Sequence, residues 1–443
     1  MLEFLTLFLA LTAGPQTLEL AAGPTVARVD VQLDGERVAQ LRTPEWHTTV
    51  DFGFQLRPHE LVAVAYDRDG KETSRVQQYV NLPRPRAEAR LVLHTTDDGP
   101  ADSAQLTWSA LDRSAPEKLE VLFDGQPLDT RQPERIPLPT YDSDFLHVLS
   151  AELDFGDGIS ARTVIPVGGV FGDVTSTELT AIPVLTEHKP PKPEEMAGWL
   201  TKNGQPLQAV AVEHGAADLV VVADLAISHD ALDKVANRLR RTRYRAARLR
   251  PLKTGDDFLF VDPVSFQPRN SEALEMFPVL RLYASDGDVR NPSHPVELFT
   301  GPLLRRDLAP EIVAQQRLAD AVAVAGLLAA SRNRVRCVLL ILGQNPPDAS
   351  QYLPGVVRHY LRSLHVPLIV WTPEEPAEDA PPSPAQAAWG GALSVYDMGT
   401  MLPAMNQLNN ILRDQHIVWV AGRHLPNQVA LVGGKDMRLA GEK

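Results

Sequence analysis

Two long apolar runs in the C-terminal half of this 443-residue chain restrict its fold more than any other feature. The first covers residues 217–223 and ends at Asp224, and the second covers residues 335–342. Apolar runs of this length, without regular polar alternation, are typical of strands in a parallel sheet that helices cover on both faces. We therefore predict a doubly wound α/β domain in this half of the chain.

The segments around these runs alternate between helical and strand patterns. Small and apolar residues recur at helical spacing between Ile312 and Ala330, where small side chains let a helix lie close to a sheet. The other predicted elements are a helix from His229, a helix near 350–364, a strand at 366–371, a helix near 405–413 and a strand at 417–420. Such alternation of strands and helices is the pattern of a doubly wound sheet.

The loop after the first apolar run resembles the metal-binding loop of a von Willebrand factor A domain. In that family an Asp-x-Ser-x-Ser triplet supplies one carboxylate and two hydroxyls to Mg²⁺. This chain has Asp224, Ala226 and Ser228 at the three positions, so the middle hydroxyl is missing. The resemblance implies the family's fold with a weakened metal site.

Two further ligand positions of that family also carry other residues. The segment 317–322 resembles the family's Thr-x-Leu-x-Asp-Ala helix start, but Gln316 stands at the Thr position. The run 335–342 is followed by Gly343, Gln344 and Asn345, where the family has Ser-Asp-Gly, so an amide replaces a carboxylate. The resemblance therefore implies a degenerate metal site, and we predict no bound metal and no cofactor.

Flanking segments extend the resemblance over most of residues 196–430. The segment 199–210 is similar to the hairpin that precedes the domain in the acidobacterial-type family related to von Willebrand factor A, and 419–426 closes the match. This family implies an extracytoplasmic binding or scaffolding protein and no known reaction.

Residues 24–186 show short alternating apolar segments separated by turns, and they contain a repeat. The turn Asp34-Gly35 recurs at Asp124-Gly125, and the turn Asp69-Gly70 recurs at Asp157-Gly158. Asp-Gly between alternating segments is a strong hairpin signal, because a type I′ turn needs positive φ at both central residues. We predict two all-β immunoglobulin-like sandwiches, which lack paired cysteines and depend on their apolar cores.

These observations predict a multidomain chain. The predicted parts are a candidate signal peptide at 1–22, immunoglobulin-like domains at 23–86 and 87–186, a Pro-rich linker at 187–195, the α/β domain at 196–430 and a C-terminal tail at 431–443. The apolar segment 2–13 is too short to span a bilayer and resembles a signal h-region, although no Lys or Arg precedes it. We expect a secreted or periplasmic protein without a membrane span in its mature chain.

The net charge of −13 argues against a nucleic-acid partner, because binding to phosphate backbones depends on Lys and Arg. One basic segment, Arg238–Arg250, ends the helix that begins near His229. Cations are favourable at a helix C-terminus, so a solvated face explains this segment. The alternative is a docking patch for an anionic polymer or an acidic partner.

Ligands of α/β sheets bind beyond the carboxyl ends of the strands. This rule predicts a binding face for a protein partner, and the chain is predicted not to be an enzyme. The predicted face consists of Asp224, Ala226, Ser228, Gln344 and Asn345.

Two other functions stay open. A doubly wound hydrolase would use Ser228 or Asp224 and would need a His from another strand end, whereas Ser228 is more simply explained as the cap of the following helix. A polysaccharide-binding protein would need an exposed aromatic platform on the sandwiches, for which Trp46 and Trp108 are the tryptophan candidates.

Overall fold

The structure, a computed structural model, consists of two β units followed by a part that contains a mostly parallel sheet. It describes residues 2–8, 10–42, 46–83, 87–95, 99–110, 115–156, 160–169, 179–241, 252, 256–264, 272–274, 282–286, 308–375, 383–434 and 436–442.

The first β unit is a sandwich of a three-stranded and a four-stranded antiparallel sheet. Its strands are β1 (Leu2–Phe4), β2 (Pro15–Ala22), β3 (Arg28–Leu33), β4 (Glu36–Leu41), β5 (His47–Asp51), β6 (His59–Tyr66) and β7 (Glu72–Val80). The sheets have the orders β1-β2-β5 and β4-β3-β6-β7. Leu18 and Leu20 of one sheet and Val29 and Val31 of the other form one core, because alternate side chains of each strand point inward.

The second β unit repeats this arrangement. Its strands are β8 (Ala87–His94), β9 (Ser103–Ala110), β10 (Lys118–Phe123), β11 (Gln126–Pro127), β12 (Ile136–Pro137), β13 (His147–Asp154) and β14 (Ser160–Val167). The sheet orders are β8-β9-β12 and β11-β10-β13-β14, which match the first unit strand for strand. The predicted pair of sandwich-like units is present, each divided into three plus four strands.

The turns Asp34-Gly35 and Asp124-Gly125 lie at equivalent hairpins of the two units, as predicted. The φ angles are 54° and 88° in the first turn and 49° and 79° in the second. Each aspartate also accepts a hydrogen bond from the backbone of the neighbouring strand, and its second carboxylate oxygen contacts a histidine, His59 in one unit and His147 in the other. The turn at Asp157-Gly158 lies outside the described residues.

Two segments of the candidate signal peptide at 1–22 are strands in the structure. They form β1 and β2 of the first sandwich, and Leu2 is only 2% exposed. Leu2 and Phe4 pair with β2, and the alternating Leu18 and Leu20 are buried in the core. The first β unit therefore begins before the predicted boundary at residue 23, because the apolar residues of this segment complete its smaller sheet.

The C-terminal part contains both parallel and antiparallel strands. Its strands are β15 (Leu179–Thr186), β16 (Leu200–Lys202), β17 (Gln205–Pro206), β18 (Ala209–Glu213), β19 (Ala217–Ala223), β20 (Asp257–Asp262), β21 (Glu272–Leu274), β22 (Leu282–Asp286), β23 (Val335–Ile341), β24 (Leu368–Thr372), β25 (Leu393–Ser394), β26 (Gln415–Ala421), β27 (Val429–Leu431) and β28 (Met437–Leu439). Its helices are α1 (His229–Arg241), α2 (Pro310–Ala314), α3 (Leu318–Ala330), α4 (Pro354–Ser363), α5 (Pro384–Ala388) and α6 (Met398–Asp414), with 3-10 turns at Pro193–Met196 and Pro426–Gln428.

The two long apolar runs lie side by side in the middle of the larger sheet. The strand order is β21-β22-β20-β19-β23-β24-β25, with parallel pairing from β20 to β25 and an antiparallel hairpin at the β21 edge. Helices α1 and α6 pack on one face, and α3 and α4 pack on the other. Burial on both faces explains why β19 and β23 carry almost no polar alternation.

The predicted strand at 417–420 does not join this sheet. It belongs to β26, which pairs antiparallel with β15 and β18 in a separate sheet of order β18-β26-β15-β28. Consequently β15 lies in the C-terminal part and not in the second sandwich, where the range 87–186 had placed it. The predicted linker 187–195 therefore connects two elements of the same part, and Met196 beside it is fully buried.

The predicted tail 431–443 is also folded into this part. Strand β28 pairs with β15, and Leu439 and Ala440 are buried. The predicted single helix from Ile312 to Ala330 is divided into α2 and α3, and the break leaves Gln316 outside both helices. These differences arise from pairings between distant segments, which local patterns do not reveal.

Candidate functional site

Asp224 follows the last residue of β19 and lies buried at the carboxyl end of the parallel sheet. Its side chain is 2% exposed and accepts three hydrogen bonds. Oδ1 accepts from Nε2 of Gln316 at 2.7 Å and from the backbone N–H of Ala226 at 2.8 Å, and Oδ2 accepts from the N–H of Gly343 at 3.2 Å. Both carboxylate oxygens therefore have neutral donors.

Gln316 is the residue that closes this site. It lies between α2 and α3 and is fully buried. Its Nε2 donates to Asp224 and to the carbonyl of Pro347 at 2.8 Å, and its Oε1 accepts from the N–H of Leu225 at 3.0 Å. The amide thus connects the loop after β19 to the loop after β23. Its nitrogen and its oxygen both have hydrogen-bond partners, as a buried amide requires.

The loop after β23 forms the other side of the site. A Cβ atom at Gly343 would lie 2.7 Å from Oδ2 of Asp224, so only glycine allows this close approach. The N–H of Gln344 donates to a carboxylate oxygen of Glu374 at 2.7 Å, and its side-chain amide donates to the carbonyl of Glu375 at 3.3 Å. Gln344 is half-buried and faces the loop after β24, whereas Asn345 is exposed.

Burial raises the pKa of Asp224, while the hydrogen bonds from Gln316, Ala226 and Gly343 oppose this rise and the nearby Glu374 adds to it. The carboxylate is therefore stabilised by hydrogen bonds and has a second acid, not a cation, as its charged neighbour. This environment suits an aspartate that holds two loops together.

Ser228 caps helix α1, as the sequence analysis preferred. Its Oγ accepts from the N–H of Ala231 at 3.3 Å, and Asp230 forms an ion pair with Lys234 at 2.6 Å. The adjacent Ser228, His229 and Asp230 are all exposed, and no hydrogen bond or ion pair joins these three described side chains. The three residue types therefore do not form a hydrogen-bonded triad.

The structure brings the predicted face together only in part. Asp224 contacts Ala226 and Gly343 directly, and Gln344 follows Gly343, but Asp224 itself is inaccessible. Ala226, Ser228 and Asn345 are the exposed members of the face. Glu374, two residues after the end of β24, was not among the predicted site residues; its position beyond a third parallel strand end was the available signal.

Other predicted regions carry less information. Trp46 and Trp108, the candidates for an aromatic platform, are half-buried and pack against the cores of their own sandwiches. The basic segment is described only to Arg241, at the end of α1, and residues 242–250 lie outside the described residues. Within the described part of the chain, no helix is both long enough and apolar enough to cross a membrane.

No protein-family model matches the chain, and no curated protein is similar to it in sequence. Fibronectin(III)-like modules of Clostridium thermocellum CbhA match 18% of this chain and 93% of their own length, at 19% identity and a TM-score of 0.17. The central fibronectin-III array of RIM-binding protein matches 45% of this chain and 81% of its own, at 11% identity and a TM-score of 0.20.

A third similar structure is SGBP-B from the Bacteroides ovatus mixed-linkage glucan utilization locus, in complex with a mixed-linkage heptasaccharide. It matches 47% of this chain and 57% of its own length, at 14% identity and a TM-score of 0.14. All three TM-scores are too low to assign a fold or a function to the chain as a whole.

Proposed function

We propose that the chain is a non-catalytic, extracytoplasmic scaffolding protein that binds a protein partner at the carboxyl ends of its parallel strands without a metal ion. The domain that carries this face is proposed to be a degenerate von Willebrand factor A domain. The exposed residues Ala226, Ser228 and Asn345 would contact the partner, and the buried Asp224 would support their loops.

The observation that carries the proposal is the hydrogen bonding of Asp224. A Mg²⁺ ion would need its carboxylate as a ligand, yet Nε2 of Gln316 already lies 2.7 Å from Oδ1. A side-chain amide donor at this position competes with a cation for the same lone pairs, and no hydroxyl ligand is present at Ala226. Metal binding would break the bonds of a fully buried amide, which costs about 1–3 kcal/mol for each unsatisfied group.

The experiment is a pull-down with the full chain as bait and an envelope fraction of the source cell, with and without EDTA. We expect the same partner in both conditions. Ala226→Arg adds a bulky cation to the exposed face, and we expect it to abolish capture. The matched control is Asn410→Arg, on the exposed side of α6, and we expect it to retain the partner. Loss of the partner in EDTA, or full capture by Ala226→Arg, would contradict the proposal.

A further inference from the structure

The edge of the parallel sheet contains a slot between β24 and β25. The two strands pair only at Trp371 with Leu393 and at Thr372 with Ser394. Before this point Gly390 and Gly391 adopt φ angles of 85° and 100°, which turn the chain away from β24. The slot has a volume of about 390 Å³, within the range of roughly 300–1,000 Å³ typical of binding pockets.

One wall of the slot is the free edge of β24. Leu368, Ile369 and Val370 line the slot and have no strand partner on this side among the described residues. A strand edge of this kind presents unpaired backbone N–H and C=O groups, which is the usual template for the addition of a further strand. Helices α4 and α6 contribute Leu361 and Ile411 from the two faces of the sheet.

The slot is also basic. Arg358, Arg362 and Arg438 line it, with Glu442 as the one acidic residue among its described lining residues. None of the three arginines forms an ion pair with a described carboxylate. Arg358 donates to the carbonyl of Ala388 at 3.3 Å, and burial together with the like charge of Arg362 lowers its pKa. An anion in the slot would relieve this repulsion.

We propose that this slot binds an extended acidic peptide segment of a partner protein, which adds a strand beside Leu368–Val370. The free strand edge would pair with the peptide backbone, and the arginines would bind its carboxylates. A small inorganic anion would satisfy the arginines but leave the strand edge without a partner. The site lies at the edge of the sheet, so it does not depend on the proposed function of the strand-end face.

The test measures fluorescence anisotropy of a labelled hexapeptide with alternating Val and Glu, titrated with the full chain. We expect saturable binding, weakened about tenfold by Arg362→Glu and by Arg438→Glu, since each removes a charge-assisted contact. Arg413→Glu is the matched control and should bind as well as wild type, because Arg413 is exposed near the end of α6 and does not line the slot. Arg362→Gln serves if the reversal of charge prevents folding, with circular dichroism as the check on folding.

A second peptide tests the backbone pairing. N-methylation of alternate residues removes the N–H groups that face β24, and we expect about tenfold weaker binding again. The proposal is overturned if the acidic peptide shows no saturable binding, or if it binds all arginine variants equally. It is also overturned if N-methylation has no effect while inorganic phosphate displaces the peptide, because the slot would then bind small anions only.

Discussion

The two ends of β19 each bury one aspartate, and different chemistry stabilises the two carboxylates. Asp224, at the carboxyl end, accepts three hydrogen bonds from neutral donors. Asp218, at the amino end, is 3% exposed and accepts no hydrogen bond from the described residues. Its charged neighbours are arginines, with Nη1 of Arg332 at 3.6 Å and Nη1 of Arg334 at 3.9 Å from Oδ1.

The difference shows how one strand can carry two buried acids with different roles. Hydrogen bonds are directional and fix the geometry of the loops at the carboxyl end, where the exposed face lies. Charge attraction is long-ranged and links separate parts at the amino end, because Arg334 also pairs with Glu152 of the second β unit and with Asp257 of β20. Hydrogen bonds therefore close the carboxyl end of β19, and ion pairs connect its amino end to the neighbouring elements.

The largest expected effect comes from the carboxyl end. We expect Asp224→Ala to lower the free energy of unfolding by about 4 kcal/mol, because the donors on Gln316, Ala226 and Gly343 lose their acceptor. Urea denaturation measures the change. Asp230→Ala, an exposed aspartate in the first turn of α1, is the control and should leave the midpoint unchanged. A stability close to wild type for Asp224→Ala would mean that these hydrogen bonds do not hold the loops.

At the amino end of β19, we expect the stability to depend on pH through Asp218. Burial raises the pKa of Asp218 to about 6, although the surrounding arginines oppose the rise. The folded state holds this proton more tightly than the unfolded state. The contribution of protonated Asp218 to the free energy of unfolding is therefore complete below about pH 4 and is lost as the pH rises through 6. For Asp218 alone the loss is on the order of 3 kcal/mol.

Urea denaturation between pH 4 and pH 7 tests this expectation in wild type and Asp218→Asn. We expect the stability of wild type relative to the variant to fall as the pH rises through 6, because the variant has no proton to lose at this position. Parallel pH profiles of the two proteins would contradict this expectation, because they would mean that the arginines keep Asp218 ionised over the whole range.

The smallest effect concerns the ion pair between Arg334 and Glu152, which connects the amino end of β19 to the second β unit. Glu152 is partly exposed, so we expect Glu152→Gln to lower the stability by only about 0.5 kcal/mol. The change should be smaller at high salt, which screens exposed pairs. Asp129→Asn removes the exposed pair with Arg131 in the same unit and should leave the unfolding midpoint unchanged. An effect of Glu152→Gln as large as that of Asp224→Ala would contradict the ranking.

Local patterns were sufficient where the fold depends on local chemistry. The buried runs at β19 and β23 follow from apolar side chains on both faces, and the Asp-Gly hairpins follow from positive φ at Gly35 and Gly125. The pairing of β15 with β26 was not predictable in this way, because it joins segments that are far apart in the chain. Strand β1 was missed because its apolar residues lie in the segment 2–13, which has the composition of a signal h-region.

The candidate site was predictable in position but not in detail. Strand ends identified Asp224 and Gln344, since ligands of such sheets bind there. From the sequence alone, Gln316 is only a lost ligand. In the structure its side-chain amide donates to the carboxylate of Asp224 and accepts from the backbone N–H of Leu225. A glutamine carries no motif of its own, so this role becomes visible only when the loops after β19 and β23 meet.

Isothermal titration calorimetry of Mg²⁺ into the full chain tests the central claim most directly. With Gln316 bonded to Asp224 and no hydroxyl at Ala226, we expect no saturable heat at millimolar Mg²⁺. Asp224→Asn, which keeps an oxygen acceptor for the Gln316 amide, should give the same flat trace. Micromolar binding by wild type that disappears in Asp224→Asn would contradict the account, because the carboxyl end of β19 would then be an open metal site.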